Sequence, residues 1–179
     1  DVGSGKTVVA LIGALQAAQA GYQSVFMAPT EVLAQQHFKT ISALVGDSFK
    51  VALLTSSTEE KAKVKKSIVE GEVDIIIGTH AVIQKDVRFK NLTLVILDEQ
   101  HRFGVAQRAA LVKNQESVPH LLSMTATPIP RTLALTIYGD LDISIIKERP
   151  KNRKKIVTKI ISPSQRRAAY KFIRDEVGA

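Results

Sequence analysis

The sequence predicts an α/β fold in which helices cover both faces of a mainly parallel β-sheet. Short apolar runs rich in Ile, Val and Leu alternate with segments of helical periodicity. This alternation is typical of parallel strands that are buried on both faces. In addition, the chain begins with a glycine-rich turn that leads directly into a helical pattern, as at the start of a βα unit.

The predicted strands and helices follow one another along most of the chain. Strands are predicted at residues 24–28, 51–54, 74–78, 92–97 and 120–124, with a further short strand at 143–146. Helices are predicted at residues 8–20, 31–45, 59–71, 105–113 and 131–138, and the charged helix at 59–71 is expected to be exposed. In the first helix, one apolar face is shared by Val8, Leu11, Ile12 and Leu15.

Composition narrows the class of protein. A chain of 179 residues, 45% hydrophobic and 23% charged, is long enough for one domain with a buried core. It contains no cysteine, which excludes disulfides, thiol chemistry and zinc sites of the cysteine type. No apolar run approaches the roughly 18 residues of a membrane span, and no signal peptide is visible, so a cytoplasmic location is expected. The net charge of +8 favours a polyanionic partner.

A change in composition predicts a domain boundary near residue 149. Residues 1–148 are expected to form one domain, and residues 149–179 a linker and the start of a second, with a strand at 156–161 and a helix at 164–176 capped by Ser164. The basic run from Lys147 to Lys159 is either a solvated linker or a phosphate-binding segment. Few aromatic residues lie near it, which disfavours base stacking.

The segment Gly3-Ser4-Gly5-Lys6-Thr7 forms most of a phosphate-binding loop. The full pattern, G-x-x-x-x-G-K-S/T, needs a glycine one position before Asp1, so we expect truncation inside the motif. The strand that normally precedes the loop is then either lost, or its place in the sheet is filled by another segment. The glycines allow backbone N–H groups to turn toward a phosphate. Lys6 is suited to reach the β- and γ-phosphates, and the Thr7 hydroxyl to ligate Mg²⁺. The loop predicts a bound nucleoside triphosphate; the alternative is an ordinary glycine turn before a helix.

A second candidate site lies where Asp98 and Glu99 follow the apolar strand at 92–97. The carboxyl end of a strand is where an open α/β sheet places its ligand. We expect Asp98 to hold Mg²⁺ through water and Glu99 to orient and deprotonate the attacking water. The alternative is an acidic turn at a strand end. Together with the phosphate-binding loop, however, the pair predicts ATP hydrolysis.

Five segments in this order resemble the first motor domain of superfamily 2 helicases. They are Gly5-Lys6-Thr7, residues 28–37, Gly78-Thr79-His80, residues 98–104 and residues 123–132. The last two narrow the resemblance to two related families, the bacterial RecG branch-migration helicases and the Mfd double-stranded DNA translocases. The form of residues 98–101, with Pro29-Thr30-Glu31, favours the RecG family and leaves Mfd as the nearest alternative. The resemblance implies a RecA-like P-loop NTPase fold, ATP and Mg²⁺ as cofactors, and branched or forked DNA as the substrate.

The resemblance also implies roles for individual residues. Gln100 and His101 would bind the nucleotide and sense its γ-phosphate. Thr125 and Thr127 would couple hydrolysis to movement between two motor domains. The DNA backbone would be contacted by residues at two strand ends: Pro29, Thr30, Gly78, Thr79 and His80. Without the resemblance, these two segments are strand-to-helix turns.

The resemblance further implies that a second motor domain, which is absent here, completes the ATP site with an arginine. The isolated chain is therefore expected to hydrolyse ATP negligibly. Two alternatives from other classes stay open. A small-molecule kinase with a phosphate-binding loop would need an acceptor site and a lid, and a non-catalytic nucleotide-binding module would need neither.

Overall fold

The computed structural model describes residues 3–99, 118–127, 142–146 and 158–178 of the chain. The chain divides into two compact units, Asp1–Glu148 and Arg149–Ala179. Several predictions lie outside the described residues: the helices at 105–113 and 131–138, the roles of Gln100 and His101, and most of the basic run that begins at Lys147.

The first unit contains a five-stranded parallel sheet. Its strands are β1 (Gln23–Met27), β2 (Val51–Leu54), β3 (Ile75–Gly78), β4 (Leu92–Asp98) and β5 (His120–Met124). Their order across the sheet is β2-β3-β1-β4-β5, and every neighbouring pair is parallel. Each of the five begins and ends within one residue of its prediction, because continuous apolar runs mark them clearly.

Three α-helices cover this sheet: α1 (Lys6–Gln19), α2 (Glu31–Val45) and α3 (Lys61–Glu70). Successive side chains of a strand point to opposite faces. Phe26 accordingly packs in one core cluster with residues of α1 and α2, whereas Val25 and Met27 pack in the other with Ile68 of α3. The predicted α/β fold, with helices on both faces of a parallel sheet, is therefore confirmed.

The face of α1 that meets the sheet agrees only in part with the predicted one. Leu11 and Leu15 pack into the core as predicted, but Val8 and Ile12 are 51% and 54% exposed. A stripe of small residues, Ala10, Ala14 and Ala18, is buried in their place. Alanine side chains allow the helix backbone to approach the sheet closely. Hydrophobicity alone points instead to the larger valine and isoleucine.

The helix α3 is less exposed than predicted. Lys63 and Lys66 lie in solvent, but Ile68 is fully buried and Val64 packs against the same core cluster. These two residues are four positions apart and so lie on one side of the helix. Lys65 also donates a hydrogen bond to Asp86, and this contact lowers the pKa of the Asp86 carboxyl from its usual value.

Two apolar runs do not form the predicted strands. Residues 142–146 and the described part of the second run, residues 158–161, have no regular structure. A strand needs a hydrogen-bonding neighbour to be stable, and no described strand pairs with either run. In the second unit, a short 3₁₀ turn at Pro163–Gln165 precedes α4 (Arg166–Val177). Ser164 does not cap this helix, because the N-cap position is Gln165 and no side chain caps the helix there. The Ser164 hydroxyl instead lies 2.8 Å from that of Ser162.

None of the helices in the described ranges is long and apolar enough to span a membrane.

Gln23, at the start of the central strand β1, is buried and fully hydrogen-bonded. Its Nε2 donates to the carbonyl oxygens of Ile68 and Val73, both at 2.9 Å. Its Oε1 accepts from the backbone N–H groups of Lys90 at 2.9 Å and Asn91 at 3.3 Å. One side chain thus joins the end of α3 and the segments before β3 and β4. The neighbouring Ser24 is equally buried, yet its hydroxyl has no partner among the described residues.

We predict opposite effects of removing these two adjacent polar groups. Gln23→Leu leaves several buried backbone groups unpaired, and should lower the free energy of unfolding by about 2–4 kcal/mol, since each such group costs about 1–3 kcal/mol. Ser24→Ala removes an unpaired hydroxyl and should raise the free energy of unfolding by roughly 0.5–2 kcal/mol. Urea unfolding followed by circular dichroism measures both, and a loss of similar size in the two variants would contradict the assignment.

Candidate functional site

All candidate site residues in the described part of the first unit lie along one edge of the sheet. The strands are parallel, and their register pairs Met27 with both Gly78 and Leu97, and Asp98 with Met124. The residues that follow each strand therefore line the carboxyl edge. Only three residues separate the end of α1 at Gln19 from the start of β1 at the opposite edge, and α1 packs along β1 and β4. Its N-terminus consequently lies at the carboxyl edge as well.

The glycine-rich loop has the backbone that its sequence predicts. Gly3 and Gly5 have φ values of 79° and 90°, in the left-handed region that other residues rarely adopt. The carbonyl oxygen of Gly5 accepts from the backbone N–H groups of Val8 at 3.0 Å and Val9 at 3.2 Å, which begins α1. In the described chain, no side chain caps this N-terminus and no acidic residue lies in its first turn. The partial positive charge of the helix end therefore favours an anion here.

Asp98 ends β4 on the face of the sheet that α1 and α2 cover. Ile96, two residues earlier, packs in the core cluster that those helices share, and side chains two apart point to the same face. The Asp98 Oδ2 accepts a hydrogen bond of 2.9 Å from His37 Nε2 of α2. Both side chains are largely buried, with exposed fractions of 14% and 11%.

These residues fit a magnesium ion that is bound together with a nucleotide. The part of the chain that the structure describes contains no group of three His, Cys, Asp or Glu side chains able to hold a metal alone. Mg²⁺ usually keeps several waters and takes one or two carboxylates plus substrate phosphates. Asp98 offers one carboxylate, and Thr7, at the start of α1, offers a hydroxyl at the same edge of the sheet.

Glu99 turns away from Asp98 and contacts the end of β5. Its φ of 52° makes it the one non-glycine residue of the described chain in the left-handed region. Its carboxylate accepts from the backbone N–H of Ala126 and from the Thr125 hydroxyl, each at 3.3 Å. The Thr125 hydroxyl also lies 2.9 Å from that of Thr127. The structure thus brings together Glu99 and the two threonines for which a coupling role is expected.

The five residues expected to contact DNA lie at the ends of the adjacent strands β1 and β3. The Thr30 hydroxyl caps α2 by accepting from the backbone N–H of Leu33 at 3.3 Å. Gly78 and Thr79 are buried, Thr79 with only 7% of its surface exposed, whereas His80 is exposed and Pro29 is partly exposed. Solvent therefore reaches Pro29, Thr30 and His80 more than it reaches Gly78 and Thr79.

A cluster of hydroxyl groups at the same edge was missed by reasoning from the sequence. Thr55 follows β2 directly, and its backbone N–H donates to the Thr58 hydroxyl at 2.9 Å. The backbone N–H of Ser57 donates to Glu31 Oε1 at 3.1 Å, which joins this loop to the start of α2. The available signal was the run of four hydroxyl residues immediately after a predicted strand.

His37 was also missed as a site residue. It lies on the buried side of α2 with Ala34 and Ile41, and its ring packs on Phe26 with centroids 4.6 Å apart. A histidine on the buried side of an amphipathic helix needs a polar partner. That requirement was visible in the sequence, although the identity of the partner was not.

Comparison with known proteins identifies the family. The sequence profile of DEAD/DEAH box helicases matches residues 1–136, and the chain belongs to this family. Within it, the chain is 52% identical to the ATP-dependent DNA helicase RecG of Aquifex aeolicus over 181 residues, which cover 99% of the chain and 23% of that protein. It is 55% identical to RecG of Staphylococcus aureus strain NCTC 8325 over 162 residues, 88% of the chain and 23% of that protein.

The fold agrees with that of a solved RecG structure. A structure of RecG bound to a three-way DNA junction matches with a TM-score of 0.83 at 45% identity, over 99% of this chain and 24% of that one. The RecA-like fold and the resemblance to the RecG family are thereby confirmed. The chain spans about a quarter of the length of the relatives that it matches.

We predict that Gly78→Ala destabilises the fold, whatever its effect on DNA. An added Cβ would lie 2.1 Å from the carbonyl oxygen of Leu54 and 2.7 Å from Cγ2 of Val82. Backbone must move to relieve the first contact, so we expect the free energy of unfolding to fall by about 2 kcal/mol or more. Gly13→Ala is the control, because its Cβ would meet only Leu94 Cδ2 at an ordinary 3.5 Å.

The control should gain roughly 0.5–1 kcal/mol, as alanine does over glycine inside a helix. Urea unfolding of both variants is the measurement. A Gly78→Ala protein as stable as the unsubstituted chain would show that the close approach of β2 and β3 is not a constraint.

Proposed function

We propose that the chain is the first, ATP-binding motor domain of an ATP-dependent DNA helicase that remodels branched or forked DNA in recombination and repair. The observation that carries this proposal is that two carboxylates adjacent in the sequence have different partners in the structure. Asp98 lies on the face covered by α1, which begins at the phosphate-binding loop, and Glu99 is hydrogen-bonded to the end of β5. Membership of the DEAD/DEAH box helicase family and the similarity to RecG support it.

In this proposal the loop and the two carboxylates divide the work of ATP hydrolysis. Lys6 and the first backbone N–H groups of α1 bind and orient the phosphates, with Gly3, Ser4 and Gly5 shaping the loop. Thr7 and Asp98 hold Mg²⁺, which when bound offsets the negative charge that develops on the transferred phosphoryl group. Glu99 orients the attacking water and accepts its proton.

Coupling to movement follows from the hydrogen bonds of Glu99. When this carboxylate turns toward water or becomes protonated, its acceptor bonds to Thr125 and Ala126 weaken. The Thr125 hydroxyl already lies within reach of Thr127 and so has a second partner available. We propose that this exchange shifts the end of β5, and that Gln100 and His101 report the γ-phosphate to the same segment.

The DNA backbone is proposed to run along the ends of β1 and β3, where the contact residues are Pro29, Thr30, Gly78, Thr79 and His80. The net charge of +8 favours such a polyanion, and a RecG relative has been solved with a three-way DNA junction.

We further propose that residues 149–179 lead into a second motor domain, in a bacterial cytoplasmic protein as long as these relatives. An Mfd-like translocase or a kinase is less well supported, because the most similar relatives described above are RecG proteins.

We predict that nucleotide binding by this chain depends on Lys6. Titration of a fluorescent ATP analogue with Mg²⁺ should show at least roughly tenfold weaker binding for Lys6→Ala, since a hydrogen bond to a charged group contributes about 1.5–3 kcal/mol. Lys39→Ala removes an exposed lysine of α2 and should bind like the unsubstituted chain. Equal binding by all three proteins would refute the phosphate-binding role of the loop.

We also predict that hydrolysis and DNA movement can be separated, in a polypeptide as long as the relatives. Thr125→Ala combined with Thr127→Ala removes the exchangeable hydroxyl pair but leaves Glu99, so ATP hydrolysis should persist while unwinding of a forked DNA is lost. Glu99→Gln is the comparison, which should bind ATP and hydrolyse none. If the double variant loses both activities to the same extent, the threonines do not act in coupling.

A further inference from the structure

We propose that His37 is a positioning residue that fixes the orientation of the Asp98 carboxylate for metal binding. This inference rests on the proposed function, because it assigns to Asp98 the role of holding Mg²⁺. It adds a residue from α2, outside the phosphate-binding loop and the β4 carboxylates, to the machinery of the nucleotide site.

The surroundings of His37 hold its ring in one place. Neighbours on the buried side of α2 include Ala34 and Ile41, and only 11% of the His37 side chain is exposed. One side of the ring packs on Phe26, with centroids 4.6 Å apart and ring planes 43° apart. The ring therefore has little freedom to turn, and its Nε2 is held 2.9 Å from Asp98 Oδ2.

This contact distinguishes the two oxygens of Asp98. A carboxylate rotates easily about its last bond, because that torsion has only broad minima. The hydrogen bond from His37 occupies Oδ2 and sets the plane of the group, so Oδ1 is the oxygen left for a metal-bound water. Groups that orient a metal ligand in this way typically change metal affinity by about 10–100-fold when they are removed.

A purely structural role for His37 predicts a different result. If the ring only fills space beside Phe26, a leucine of similar bulk should preserve metal binding, and a polar amide should preserve it less well. If the N–H is what matters, Gln should serve better than Leu, because a glutamine amide can place an N–H near the position of Nε2. Comparison of His37→Leu with His37→Gln therefore separates the two roles.

The test measures Mn²⁺ binding by electron paramagnetic resonance, on the chain with a non-hydrolysable ATP analogue. We expect His37→Leu to weaken Mn²⁺ binding about tenfold or more and His37→Gln to stay within about threefold of the unsubstituted chain. His120→Leu, at an exposed histidine that begins β5, is the control and should change nothing. Unchanged binding in His37→Leu, or equal weakening in both His37 variants, would overturn the proposal.

A second measurement keeps the inference separate from the proposed function. The ¹⁵N resonances of the His37 ring, recorded without nucleotide or metal, should shift when Asp98→Ala removes the acceptor. If the unsubstituted chain binds no Mn²⁺ with the analogue, the proposed function fails for this chain. The ring resonances still test the hydrogen bond between His37 and Asp98. If they do not shift in Asp98→Ala, this hydrogen bond is refuted. The measurement does not depend on whether His37→Leu folds.

Discussion

The rest of the structure depends on the parallel pairing of β1 with β3 on one side and β4 on the other. Every residue of β1 is buried, and its register places Phe26 opposite Ile77 and Ile96. A slip of β4 by one residue would turn its side chains to the opposite faces of the sheet. Asp98 would then point toward the α3 face, away from α1 and His37. The hydrophobic pattern of the strands thus sets where the carboxylate lies.

The same alternation explains how two adjacent acidic residues acquire different surroundings. Asp98 keeps the strand direction and meets His37, whereas the left-handed backbone at Glu99 ends the strand and carries its carboxylate to Thr125 and Ala126. Two carboxylates with separate partners can serve one reaction in separate roles, one toward a metal and one toward water. The helix α2 connects two parts of this edge, since the exposed Thr30 caps its N-terminus and its residue His37 contacts Asp98.

Sequence patterns located the five strands and the whole of α2, because continuous apolar runs and helical periodicity are local signals. They also located Asp98 and Glu99, which follow a strand directly. The buried alanine stripe of α1 and the lack of strand structure at residues 142–146 were not predicted, since both depend on what packs or pairs with these residues. The partner of His37 lies 61 residues away along the chain. No local pattern could identify this partner, although a histidine on a buried helix face requires a polar partner.

The central claim is that the carboxyl edge of this sheet binds a nucleotide between the glycine-rich loop and the β4 carboxylates. A crystal structure of the chain with Mg²⁺ and a non-hydrolysable ATP analogue tests it most directly. We expect the phosphates against the N-terminus of α1 and Lys6, the metal beside Thr7 with Asp98 contacting one of its waters, and Glu99 on the γ-phosphate side. A nucleotide bound elsewhere, or a metal with neither Asp98 nor its hydrogen-bonded waters nearby, would contradict the account.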